Sequence, residues 1–195
     1  VTPEVHARVL REIIRPAVEG MAADGTPYPG FLYAGLMIEP GGAVRTLEFN
    51  CRMGDPETQP ILVRMKSDLV DVVEQALAGT LDRVSLEWDR RTAVGVVLAA
   101  GGYPDTPQKG DEIIGLPQSG AAIGDDCWVF HAGTAIDDGR IVTAGGRVLC
   151  VTALGDSPKI AQARAYRAID SIRFEGMQYR RDIGSRAASG RHAPK

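Results

Sequence analysis

Residues 93–100, Ala-Val-Gly-Val-Val-Leu-Ala-Ala, form the longest apolar run in the chain. A run this short, rich in valine and closed at once by Gly101-Gly102-Tyr103-Pro104, fits a buried strand with a tight exit. It is far too short to span a bilayer. A buried strand needs partners, and the chain offers Glu112–Leu116, Trp128–His131, Ala135–Ile136 and Arg147–Leu154. Asp137-Asp138-Gly139 and Ala144-Gly145-Gly146 punctuate these candidates. A helix follows from the pair Ser157-Pro158, a cap and then a first-turn proline, to about Ser171. From Gly184 to Lys195 the chain is polar and positively charged without apolar period, and is expected to be a disordered tail.

The segment before residue 92 has a different character. Thr2 caps, Pro3 opens and Glu4 charges the start of a helix carrying Leu10, Ile14, Ala17 and Met21 at helical spacing. Pro16 inside that pattern predicts a kink. Two strand-like runs, Gly30–Glu39 and Ala43–Arg52, flank Pro40-Gly41-Gly42 and read as a hairpin. Met53–Pro60 reads as a loop. A second helix runs from Ser67, as cap, to Ala78, with Leu69, Val72, Val73, Ala76 and Leu77 on one stripe and Gly79 closing it. The fold class is α+β, in two units that meet near the polar stretch Trp88-Asp89-Arg90-Arg91.

Composition narrows the function classes. A net charge of -3 opposes a nucleic-acid footprint of clustered lysine and arginine. No membrane span is expected, and no charged start leads into an apolar stretch and a cleavage site. Cys51, Cys127 and Cys150 are far apart without C-x-x-C spacing, so reduced, mostly packed thiols of a cytoplasmic protein are expected. His6, His131 and His192 are too scattered for a metal cluster.

The stretch richest in chemistry is residues 47–57, Leu-Glu-Phe-Asn-Cys-Arg-Met-Gly-Asp-Pro-Glu. Side chains alternate along a strand, so Glu48, Asn50 and Arg52 share one face, while Leu47, Phe49, Cys51 and Met53 share the other and can pack into a core. A carboxylate and a carboxamide oxygen suit Mg²⁺, which is often held by one or two protein groups plus substrate phosphates. Arg52 is placed to meet a phosphate or carboxylate bidentately. A polar triplet on an exposed strand edge gives the same alternation, and the pattern alone leaves both readings open.

Residues 48–52 followed by Gly54-Asp55-Pro56-Glu57-Thr58-Gln59-Pro60 resemble the signature of the phosphoribosylamine–glycine ligase family, within the ATP-grasp superfamily. The resemblance extends through residues 30–37, Arg64–Leu69, Ala99–Pro104, Val129–Thr134, Gly146–Thr152 and Asp182-Ile183-Gly184, and so covers nearly all of residues 1–184. It implies the carboxy-terminal part of an ATP-grasp core (an antiparallel sheet with helices) over 1–92, then a small strand-rich carboxy-terminal domain over 93–184, with 185–195 as the tail. It also implies that the ATP-covering lobe and the glycine-rich substrate loop belong to an amino-terminal half upstream of Val1, so the isolated chain is expected to be inactive.

The family joins 5-phosphoribosylamine to glycine with ATP in purine synthesis, through glycyl phosphate. The resemblance implies ATP and Mg²⁺ or Mn²⁺ as cofactors. It assigns Glu48 and Asn50 as metal ligands and Arg52 to a phosphoryl or acyl-phosphate oxygen. Asp55 and Glu57 are expected to shape the loop or to orient Arg52. Many ATP-grasp relatives carry another metal-binding carboxylate on the preceding strand, whereas Gly35-Leu36-Met37-Ile38 is apolar here and Glu39 lies at the turn. His131 is expected to be packed or hydrogen-bonded, Gly101-Gly102 to make a turn, and Lys66 to be solvated. Arg180, Arg181, Arg186 and Arg191 read as a mobile basic end. Two alternatives stay open: a non-catalytic binding module, and a different ATP-grasp carboxylate–amine ligase such as a biotin carboxylase relative.

Overall fold

A computed structural model describes residues 1–118, 121–124 and 126–189. Its internal contacts group the chain into two units that interleave along the sequence. Among the described residues, one holds Val1–Asp55 and Ser67–Leu86; the other holds Pro56–Lys66 and the chain from Glu87 to Ser189.

The first unit begins with helix α1, Pro3–Val9, whose cap Thr2 accepts a hydrogen bond from the Val5 amide at 3.3 Å. The helix continues without a break through Leu10–Ile14 into α2, Arg15–Ala23. The kink expected at Pro16 takes the form of a π-helical turn at Leu10–Ile14, with the Arg15 amide donating five residues back to the Leu10 carbonyl. Proline supplies no amide proton and crowds the carbonyl four residues before it, and widening the preceding turn relieves both. The helix runs through Gly20 and ends at the Asp24-Gly25 pair, with Gly25 at φ +74°.

Strands β1, Tyr33–Ile38, and β2, Val44–Asn50, form the expected antiparallel hairpin. Its turn closes with the Gly42 amide on the Glu39 carbonyl at 2.8 Å. Arg8 Nη1 donates to the Gly42 carbonyl at 2.6 Å and ties α1 to that turn. The register runs Tyr33 to Asn50, Ala34 to Phe49 and Gly35 to Glu48, then jumps so that Leu36 faces Thr46. Leu47 is therefore the extra residue of a β-bulge.

The second helix is α4, Leu69–Leu77, and its cap is Asp68, not Ser67: the Asp68 carboxylate accepts from the Val70 amide at 2.7 Å. The expected apolar stripe is only partly covered: Leu69, Val72 and Ala76 are half-buried, while Val73 and Leu77 are exposed.

The second unit contains the hydrophobic core, which runs from Val94 to Phe174. Its sheet has the order β3-β7-β4, all antiparallel, with β3 Thr92–Ala99, β7 Arg147–Gly155 and β4 Cys127–His131. The apolar run at residues 93–100 thus lies beside the most buried strand. Helix α5, Pro158–Ile169, is capped by Ser157 and buries Ala161, Ala165 and Ile169 at four-residue spacing. A Cβ on Gly155 would lie 2.4 Å from the Ala161 amide nitrogen, so that bare backbone is what lets α5 approach β7.

The other side of β3 meets α3, Thr58–Leu62, a short helix inside the stretch expected to be a loop. A Cβ on Gly95 would come 2.9 Å from Pro60 Cγ. Packing Pro60 against Gly95 there draws residues 56–66 into this unit.

A second hairpin, β5 Thr134–Asp137 and β6 Arg140–Thr143, turns on Asp138 and Gly139 at φ +46° and +76°. Two successive positive φ angles suit a two-residue hairpin turn. Sequence reading finds β5 and the turn but not β6. Glu112–Leu116 is no strand; it makes isolated bridges from Glu112 to Val142 and from Ile114 to Arg173. The stretch expected to be a disordered tail holds a helical turn, α6 Ser185–Ala188. Arg191 and His192 lie outside the described residues.

Candidate functional site

The candidate site sits at the end of β2. Beyond the bulge the strand regains its period of two, placing Glu48 and Asn50 on one face and Phe49 on the other. Phe49 and Cys51 line a groove of about 360 Å³ with residues of α2, together with Tyr28 and Leu32; Glu48, Asn50 and Arg52 are not among its lining residues. Burial, and next to it the Cys51 thiol, push the Tyr28 hydroxyl above its ordinary value.

The apolar side of this segment is not sealed in a core as expected. Leu47 is 65% and Phe49 45% exposed, and Cys51 is an exposed thiol. The bulge takes Leu47 out of the alternation, and the groove between α2 and the ribbon leaves the apolar face of Phe49 and Cys51 open. The other cysteines, Cys127 and Cys150, are buried, and burial raises the Cys127 thiol above its usual value.

Arg52 lies just past the strand. Its Nη2 is 3.4 Å from Asn50 Oδ1, a long contact, and its Nη1 donates to the Met53 carbonyl at 3.0 Å. The Glu57 carbonyl accepts from the Ile61 amide at 3.1 Å, which starts α3 and shapes the loop. Glu48 is exposed and has no hydrogen-bond or ion-pair partner among the described residues.

Sequence reading misses Gly35, which faces Glu48 across the hairpin. A Cβ there would lie 3.0 Å from Glu48 Cγ and 3.7 Å from Glu48 Oε1, so the carboxylate stem rests on bare backbone. A glycine interrupting an apolar strand is the signal that points to such a close approach.

The donor set suits a hard cation. Two protein oxygens, one of them a carboxylate without a protein partner, match an ion that keeps waters and shares substrate phosphates. Among the described residues, no group of three or more His, Cys, Asp or Glu could hold a metal by itself.

The remaining candidates fall elsewhere. The His131 ring Nδ1 lies 3.0 Å from Thr134 Oγ1, as expected for a hydrogen-bonded histidine. Lys66 is exposed and helps, behind Arg91, to hold the Asp89 carboxyl well below its ordinary value. The basic end is less free than expected: Arg180 makes two hydrogen bonds to Asp182, at 2.9 and 2.7 Å, and Arg181 lies 5.3 Å from the Tyr179 ring centre.

Comparisons with known proteins agree across the chain. The family description "Phosphoribosylglycinamide synthetase, ATP-grasp (A) domain" matches residues 1–58, and "Phosphoribosylglycinamide synthetase, C domain" matches residues 93–186. The phosphoribosylamine–glycine ligase of Ralstonia nicotianae is 61% identical over 187 residues, covering 96% of this chain and 43% of that protein. That of Pseudomonas aeruginosa is 59% identical with the same coverage. The chain thus spans less than half the length of these relatives. The crystal structure of the Thermotoga maritima ligase superposes with a TM-score of 0.80 at 39% identity, covering 94% of this chain and 44% of that one. The biotin carboxylase domain of Hydrogenobacter thermophilus 2-oxoglutarate carboxylase, in complex with MgADP, gives 0.58 at 16% identity, over 92% and 38%; at that identity it speaks for the fold alone.

Proposed function

Since this chain belongs to the phosphoribosylglycinamide synthetase family, with stretches matching both its ATP-grasp domain and its C domain, we propose that it works as the carboxy-terminal part of an ATP-dependent ligase. The ligase joins glycine to 5-phosphoribosylamine through glycyl phosphate. The division into an ATP-grasp portion over 1–92 and a C domain over 93–184 goes with this proposal.

The observation that carries it is the shared strand face of Glu48 and Asn50, with Arg52 just beyond it, on a chain 61% identical to such a ligase. The chemical difficulty is charge, because glycine's carboxylate must approach a polyanionic triphosphate. A bound Mg²⁺ or Mn²⁺ would supply the charge screening that this approach requires. Glu48 and Asn50 offer the oxygens that hold it, and the unpartnered Glu48 carboxylate needs to break no protein contact to do so. Arg52, held by its Nη1 on the Met53 carbonyl, can exchange the long Nη2 contact to Asn50 for a phosphoryl or acyl-phosphate oxygen.

Coverage of 43% of the relatives supports reading the ATP-covering lobe and the glycine loop as parts supplied by further sequence. A cytoplasmic setting fits the purine-pathway reading. No helix among the described residues is long and apolar enough to cross a membrane.

The test is a fusion that places a relative's amino-terminal part ahead of Val1. ADP release that needs glycine, 5-phosphoribosylamine and a divalent ion is expected, and Glu48→Ala should abolish it. Near-normal turnover by the variant would refute the ligand assignment. Activity with bicarbonate and biotin instead would replace the substrate assignment.

A further inference from the structure

The second unit holds a crevice of about 640 Å³ where α3 and its following residues meet the start of β3, with Pro60, Ile61, Arg64, Trp88, Arg90 and Arg91 on its walls. No carboxylate-bearing residue lines it. The three arginines are not equivalent. Arg91 is spent on structure: its Nε and Nη2 lie 3.1 and 2.8 Å from the Asp89 carboxylate, and its Nη1 lies 2.7 Å from Asp126. Arg64 donates Nε and Nη2 to the Asp89 main-chain carbonyl at 3.2 and 2.9 Å, which fixes the guanidinium but leaves its charge uncompensated. Arg90 is exposed and has no hydrogen-bond or ion-pair partner among the described residues. Trp88 is pinned through its backbone by a bridge to Met65, while its side of the crevice stays open at 39% exposure.

Two uncompensated guanidinium groups, an indole and an apolar floor of Pro60 and Ile61 define a ligand class. Guanidinium recognises phosphate oxygens in pairs, and an indole face takes a flat ring. The volume lies in the ordinary range for small-molecule pockets, about 300–1,000 Å³. We infer that this crevice binds a phosphate monoester carried on a planar ring system, of the size of a nucleoside monophosphate. The fixed Arg64 orients the phosphate and the free Arg90 closes on it. The inference goes beyond the ligase reading and does not depend on Glu48.

The test is calorimetric titration of the 195-residue chain with AMP, adenosine and inorganic phosphate in turn. Saturable AMP binding is expected, with adenosine and phosphate each at least about tenfold weaker, since each carries half of the recognised chemistry. Arg90→Ala touches no internal contact, so it should keep the circular dichroism spectrum and weaken AMP about tenfold or more. Trp88→Leu should bring AMP down to the level of phosphate. Glu48→Ala should leave AMP binding unchanged. No saturable AMP binding overturns the inference, as does equal binding by Arg90→Ala. Phosphate binding as tightly as AMP removes the ring from the ligand class and also overturns it. Loss of AMP binding in Glu48→Ala would place the ligand at the β2 site and do the same.

Discussion

Replacing Gly35 by alanine tests whether bare backbone beneath Glu48 positions its carboxylate. The new Cβ would lie 3.0 Å from Glu48 Cγ. Ordinary carbon–carbon contact is about 3.5–4.0 Å, so the glutamate stem must give by a few tenths of an ångström. Two effects on stability oppose each other. Alanine removes glycine's excess freedom in the unfolded chain, which favours folding by about 0.5–1 kcal/mol. Driving Glu48 off its rotamer costs about 0.5–1.5 kcal/mol. The folded state should therefore change by no more than about 1 kcal/mol in either direction. Ligand binding has no such offset, because the backbone gain is present in the free and the bound protein alike. The strain returns whenever the carboxylate must take its ligating position, so Mn²⁺ affinity should fall by about two- to tenfold. The assay is water proton relaxation on the fused ligase, titrating Mn²⁺ in the presence of ADP, with Glu48→Gln as the reference for loss of the carboxylate. Weakening by Glu48→Gln with no change in Gly35→Ala would refute the positioning argument. No change in either would refute Glu48 as a ligand.

Gly115 has φ +80°, and a Cβ there would lie 1.8 Å from the Ser171 carbonyl oxygen. Gly115→Ala should destabilise by about 3 kcal/mol or more, read from urea midpoints. Gly139→Ala, at φ +76° with open space around it, should cost only about 1–2 kcal/mol. Gly155→Ala forces α5 away from β7 and should lower the thermal midpoint well beyond Gly139→Ala; an equal effect would contradict the close approach. Arg91 holds the Asp89 carboxyl well below its ordinary value in the folded chain. The stabilisation is therefore complete above the unfolded carboxyl's pKa of about 4 and is lost progressively as pH falls below it. Asp89→Asn should flatten the acid side of the stability profile, and an unchanged profile would show that this pair carries no acid sensitivity.

Local rules were legible wherever the physics is local. Thr2 and Ser157 cap because a hydroxyl beside a helix start answers orphan amides. The hairpin at Pro40-Gly41-Gly42 and the strand after residue 92 follow from turn chemistry and apolar runs. The shared face of Glu48 and Asn50 follows from a period of two, which every extended strand obeys.

The rest depended on partners that no window of sequence contains. Ser67 and Asp68 are both capable caps, and only the backbone path into α4 selects Asp68. Arg140–Thr143 is a strand because the turn at Asp138-Gly139 lays it against Thr134–Asp137. Glu112–Leu116 lacks such a neighbour along its length, so its strand-like residues make only single bridges. The bulge at Leu47 and the placing of Gly35 under Glu48 come from register between two strands, and the Arg64–Trp88–Arg90 crevice comes from α3 folding onto β3. Caps, turns and alternation are set by energies within a few residues, which composition encodes directly. Register, burial and the surroundings of a charge are set by whichever distant segment arrives, and that is decided only when the whole chain packs.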